Sequence, residues 1–122
     1  MNDQRRPATR ALLEDLYRDT AAIIHAELAE PLTLADLARR LATSPRQLRR
    51  AFAEVGGTSF RSFLADARLA RGADLLSTTE LPVGEVGRRV GYRQPGQFSK
   101  AFKRAYGVTP TAFRRPGSNR PT

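Results

Sequence analysis

The 122-residue chain contains no cysteine, which excludes disulfides, thiol nucleophiles and cysteine-based zinc fingers. Long apolar runs are missing as well. None approaches the ~20 residues of a membrane-spanning helix, and the N-terminus carries no apolar signal region, so a soluble, cytoplasmic protein that does not insert into membranes is expected. Histidine is reduced to one, His25, which falls off the apolar stripe of its segment and is expected to face solvent. No glycine-rich phosphate loop follows a strand, and no carboxylates are paired for metal binding or acid–base work. No enzyme activity, cofactor or metal site is therefore expected. Acidic residues are scarce over most of the chain: residues 37–122 hold five against 17 Lys or Arg, whereas residues 1–36 hold seven against four Arg. The resulting net charge of +9 suggests a polyanionic partner. Nineteen of the 21 basic residues are arginine, the side chain suited to bidentate contacts with phosphate and guanine.

The segment from Leu32 to Phe63 is written a second time from Leu81 to Phe113. Leu34-Ala35-Asp36-Leu37-Ala38-Arg39-Arg40-Leu41 is echoed by Val83-Gly84-Glu85-Val86-Gly87-Arg88-Arg89-Val90. Leu48-Arg49-Arg50-Ala51-Phe52 returns as Phe98-Ser99-Lys100-Ala101-Phe102, and Gly57 returns as Gly107. The offset is 49 residues in the first block and 50 in the second, so one residue is added at the turn between them.

The pattern predicts an all-α chain of seven helices. Residues 1–8 are expected to form a flexible arm. From Thr9 the positions Leu12, Leu13, Leu16, Tyr17, Ile23, Ile24 and Leu28 follow a helical period up to Pro31. Thr33 and Asp36 form a capping-box pattern for a short helix to about Leu41, followed by a tight turn at Ala42-Thr43. Ser44-Pro45-Arg46-Gln47 is a second start signal, with serine as cap and proline at the first helical position; that helix is expected to reach Val55 and stop at Gly56-Gly57. A long linker helix over residues 58–76 connects to the second copy over 77–115. There, helices are expected near residues 83–90, 95–106 and 110–115, with a flexible tail over 116–122.

A short helix, a tight turn and a second helix with outward basic residues read as a helix-turn-helix. Small residues at matched positions, Ala38 and Gly87, let the following helix cross closely. At 100° per residue, Leu48, Ala51, Phe52 and Val55 share the core side of the first reading helix. Arg46 and Arg50 project nearly opposite, with Arg49 on the flank and Gln47 beside them. In the second copy Phe98, Ala101, Phe102 and Ala105 are expected inward and Lys100 and Lys103 outward. Gly96 stands where Arg46 stands in the first copy, with Pro95 beside it. The second copy is therefore expected mainly to grip phosphates, with Gln97 and Lys100 reading an edge or two, and the first to carry most base discrimination.

Over residues 33–115 the chain resembles the DNA-binding domain of the AraC/XylS family of bacterial transcription regulators. The closest match is Gly91-Tyr92, then Gln97-Phe98-Ser99-Lys100-Ala101-Phe102-Lys103, Gly107-Val108-Thr109-Pro110 and Phe113-Arg114. The resemblance implies two helix-turn-helix subdomains joined by a long helix, with reading helices entering successive major grooves of promoter DNA. It assigns base reading to Arg46, Arg49 and Arg50, and to Pro95, Gly96, Gln97 and Lys100. Pro95 and Gly96 depart from the polar residues frequent there. With only about 30 residues ahead of the first copy, the chain resembles the short stand-alone members, which act as monomers, or the C-terminal fragment of a longer regulator. Two other readings stay open: a protein-interaction module that touches RNA polymerase through the acidic surface of Glu14, Asp15 and Asp19, and a sequence-indifferent architectural DNA binder.

Overall fold

The computed structural model describes residues 2–114; the tail expected over 116–122 lies outside them. Among the described residues there are seven α-helices and no strand. They fall into two compact units, one of residues up to Glu27 with Pro31–Leu64, the other of Leu28–Glu30 with the chain from Ala65 onward.

The first unit begins with α1, Asn2–Ala26. The helix thus takes in residues 2–8, which sequence reading assigned to a loose arm. At its other end α1 stops at Ala26, short of Leu28. The buried stripe of α1 is Leu13, Leu16, Thr20 and Ile24. Leu12, expected inward, is 47% exposed because it sits at the edge of that stripe. Thr20 is buried in spite of its hydroxyl, which donates to the Leu16 carbonyl at 2.6 Å and so arrives already satisfied.

Helix α2, Leu34–Arg40, starts at Thr33, whose Oγ1 accepts from the Asp36 amide at 3.1 Å. Helix α3, Pro45–Ala51, starts at Ser44, whose Oγ accepts from the Gln47 amide at 3.1 Å. Both caps satisfy amides that have no partner within the helix. Beyond Ala51 the expected regular helix widens into a π-helical turn, Phe52–Gly56. That turn ends on Gly57 at φ 63°, where the Thr58 amide donates to Phe52 O and the Gly57 amide to Ala53 O. The rings of Tyr17, Phe60 and Phe63 pack edge-on around the fully buried Phe52.

Helix α4, Phe60–Thr78, begins in the first unit and continues into the second. It runs two residues past the expected end because Thr78 and Thr79 hydroxyls donate back to the Asp74 and Leu75 carbonyls. The second unit continues with α5, Val83–Arg89, α6, Pro95–Tyr106, and α7, Pro110–Arg114. Its core is Leu69, Leu76, Val86, Val90, Phe98 and Phe102.

The duplication extends to individual hydrogen bonds. The Thr43 amide donates to Ala38 O and the Tyr92 amide to Gly87 O; Ala42 N–H donates to Arg39 O and Gly91 N–H to Arg88 O. The left-handed turn residue is Ala42 at φ 55° in one copy and Gly91 at φ 106° in the other. Thr43 and Ser44 therefore match Tyr92 and Gln94, and Arg93 is the added residue. Ala38 and Gly87 are both buried at the helix crossing. A Cβ on Gly87 would stand 2.9 Å from Phe98 Cβ, so the bulkier phenylalanine of the second copy demands the smaller neighbour.

Candidate nucleic-acid interface

Burial of Leu48, Ala51 and Phe52 orients α3 by one side, and the rest of its circumference is left to solvent. Arg46, Arg49 and Arg50 are exposed there, with Gln47 half-buried on the flank. In the second unit Phe98 and Phe102 turn α6 the same way, leaving Gln97, Lys100 and Lys103 exposed. The candidate residues thus gather as one group on each reading helix. Ala105, expected inward, is exposed. The ring of Tyr106 closes that end of α6 instead, stacking flat on Phe102 at 4.4 Å. Val55, its counterpart in the first copy, is half-buried, because α1 packs along α3 and the π-helical turn.

Ion pairing separates the supporting helices from the reading helices. On α2, Arg40 binds Glu27 with both terminal nitrogens, at 2.9 and 2.6 Å, and Arg39 pairs with Asp36. On α5, Arg88 and Arg89 both pair with Glu85, at 2.6 and 3.0 Å. Hydrogen bonds from Arg40 lower the pKa of the Glu27 carboxyl, and those from Arg88 and Arg89 lower that of Glu85. On the reading helices, Arg46, Arg49, Lys100 and Lys103 have no acidic partner among the described residues. Arg50 is the exception: its Nε donates to Glu54 Oε2 at 2.7 Å.

Among the described residues, three further exposed cations without an acidic partner escaped sequence reading: Arg61 on the first turn of α4, Arg93 in the turn before α6, and Arg104 on α6. Only the one-residue length difference between the copies could have flagged Arg93. Two more arginines are structural. Arg68 donates from Nε to Leu28 O at 2.9 Å and from Nη2 to Glu30 O at 2.8 Å, instead of pairing along the helix surface with Asp66. Partial burial pulls its pKa down, yet a guanidinium stays protonated at neutral pH. Arg114 likewise donates to the carbonyls of Leu76 and Leu81.

A helix-turn-helix domain family matches residues 37–116, two-thirds of the chain. The chain is 26% identical to an AraC-type DNA-binding-domain transcriptional regulator from Chromobacterium violaceum, with a TM-score of 0.81 over 92% of this chain and 99% of that one. The chain belongs to the AraC/XylS family. A second AraC/XylS-like structure, the DNA-binding domain of the global transcriptional factor AdpA in complex with a target DNA, is 29% identical, with a TM-score of 0.79 over 87% of this chain and 96% of that one. An uncharacterized HTH-type transcriptional regulator of Mycobacterium tuberculosis is 40% identical over 95% of this chain. The chain spans about a third (31%) of that relative's length. Family and fold are those of DNA-binding transcription regulators, not of enzymes. Among the described residues no helix is long and apolar enough to cross a membrane.

Proposed function

We propose that this AraC/XylS chain is a sequence-specific DNA-binding regulator of transcription that places α3 and α6 in successive stretches of major groove. One observation carries the reading: among the described residues, each arginine of the supporting helices is paired with an acid, while the cations of the reading helices have no acidic partner apart from Arg50. Unpaired guanidiniums near a helix N-terminus suit bidentate bonding to guanine O6 and N7. Arg46, Arg49 and Arg50, with Gln47, read bases. Gln97 reads an edge beside Lys100, while Lys103 together with Arg61, Arg93 and Arg104 grips phosphates. The protein works in the cytoplasm on double-stranded DNA. Contact with RNA polymerase would fall to the exposed acids of α1.

The test is a titration of a duplex selected from a randomised pool against a scrambled duplex, at two salt concentrations. Discrimination of ~10³ or more is expected, with affinity falling as salt rises according to the number of phosphates neutralised. Equal binding to both duplexes would sink the specific reading in favour of an architectural binder, and no binding would favour a protein-interaction module.

A further inference from the structure

We infer that Glu54 is a positioning residue for base readout, holding the Arg50 guanidinium with its terminal fork aimed outward; this rests on the DNA-reading role proposed for α3. A carboxylate on the face that meets a polyanion opposes binding, so its place beside a reading arginine calls for a compensating role. The geometry supplies one. Arg50 reaches Glu54 Oε2 through Nε alone, at 2.7 Å, and no described residue bonds its Nη1 or Nη2. Those two terminal nitrogens are the pair that can face guanine O6 and N7 together. Both side chains remain about half-exposed, 48% and 45%, so the fork stays accessible.

Glu54 is itself held. It lies in the π-helical turn that follows α3, and its main-chain carbonyl accepts from Arg10 Nη1 of α1 at 3.0 Å. Arg10 is fixed in turn by Glu14, to which its Nε donates at 3.2 Å. The second copy has no such device: Lys100 stands where Arg50 does, and Arg104 where Glu54 does. The acid accompanies the reading helix expected to discriminate bases and is replaced by a cation on the helix expected to grip phosphates.

An ordinary surface ion pair and a positioning pair predict different outcomes. Removing a merely electrostatic acid would tighten binding to every duplex alike. Removing a positioning acid tightens binding to scrambled DNA yet lowers discrimination at one base pair. The experiment uses the full chain and a duplex selected from a randomised pool, with every single-base change measured for the wild type, Arg50→Ala, Glu54→Ala and Glu54→Gln. At the base pair where Arg50→Ala abolishes discrimination, Glu54→Ala should reduce it about 3- to 10-fold, a part of the ~5- to 150-fold that one bidentate contact supplies. Other base pairs should be unaffected. Glu54→Gln retains an acceptor for Nε and should keep most discrimination while tightening scrambled-DNA binding, which also covers the case in which Glu54→Ala disturbs the turn. Glu54→Ala and Glu54→Gln variants with wild-type base preferences and uniformly tighter binding would overturn the inference, as would an Arg50→Ala variant that changes no base preference. A wild type that discriminates nowhere would instead overturn the reading on which the inference rests.

Discussion

Arg46 and Lys103 carry the division of labour proposed for the two reading helices. Arg46 lies on the first turn of α3, where a planar fork can match two base acceptors. Lys103 lies two turns along α6 as a compact cation. Replacing Arg46 with alanine is expected to cost ~1–3 kcal/mol at particular base pairs and to relax preference there. Replacing Lys103 should weaken binding to all sequences and reduce the slope of affinity against salt by about one phosphate. Base-by-base affinities at two salt concentrations separate the two, and a larger change of preference in Lys103→Ala would contradict this division. Gly96 offers the converse test. Nothing lies within 4 Å of a Cβ built there, so its glycine is not required by packing. Gly96→Arg should leave the melting temperature nearly unchanged and tighten DNA binding, since it restores the cation that the first copy carries as Arg46. A loss of binding in that variant would show that α6 does not approach DNA by its first turn.

Among the elements, the helix crossings and caps were legible from composition, and their exceptions show why. Ser44, Thr33 and Pro45 act within a few residues of chain, so local chemistry decides them. The π-helical turn after α3 was not legible, because the contacts around it come from residues about 40 positions away: Tyr17 packs on Gly56, where a Cβ would stand 2.5 Å from the ring, and Arg10 takes the Glu54 carbonyl. Gly87→Ala pits propensity against packing. Helix propensity favours alanine by up to ~1 kcal/mol, but the new methyl meets Phe98 Cβ, an atom tied to the α6 backbone that cannot swing aside. Overpacking of this sort costs ~1–3 kcal/mol, so a net loss of stability is expected in denaturant unfolding; a stabilised variant would mean that α6 shifts freely. Arg68→Met keeps most of the aliphatic stem and removes the donors to Leu28 and Glu30. It should lower stability by ~1–2 kcal/mol without altering base preference.

At the scale of the whole molecule, charge among the described residues is sorted by element: acids pair with the arginines of α2 and α5, and the cations without an acidic partner are concentrated on the reading helices, with Arg61 and Arg93 outside them. The Glu27 and Glu85 carboxyls, held down by Arg40 and by Arg88 with Arg89, tie stability to acidity. A carboxyl with a lowered folded-state pKa contributes fully above its unfolded value of about 4.3 and loses that contribution as pH falls through the folded value. Thermal stability should therefore stay level from pH 7 to about 5 on their account and decline below it. Glu85→Gln should flatten part of that decline. An unchanged acid profile in Glu85→Gln would show that the pairs on α5 are too well solvated to matter.

Periodicity, caps and the near-repeat of some 30 residues were enough to establish seven helices, two helix-turn-helix copies and a cationic outer face on each, because these depend on neighbours three or four positions apart. Tertiary structure alone decided which arginines are drawn to distant oxygens. Arg39, Arg88 and Arg89 each follow an acid by three or four residues, a pairing the sequence itself displays, whereas Arg40 is held by Glu27 from thirteen positions away. Arg68 and Arg114 were recruited to orphan carbonyls some 30 to 40 residues distant. Whether a guanidinium is available to DNA depends on which oxygens the folded chain brings within about 3 Å of it, and local sequence spacing records only the nearest of them.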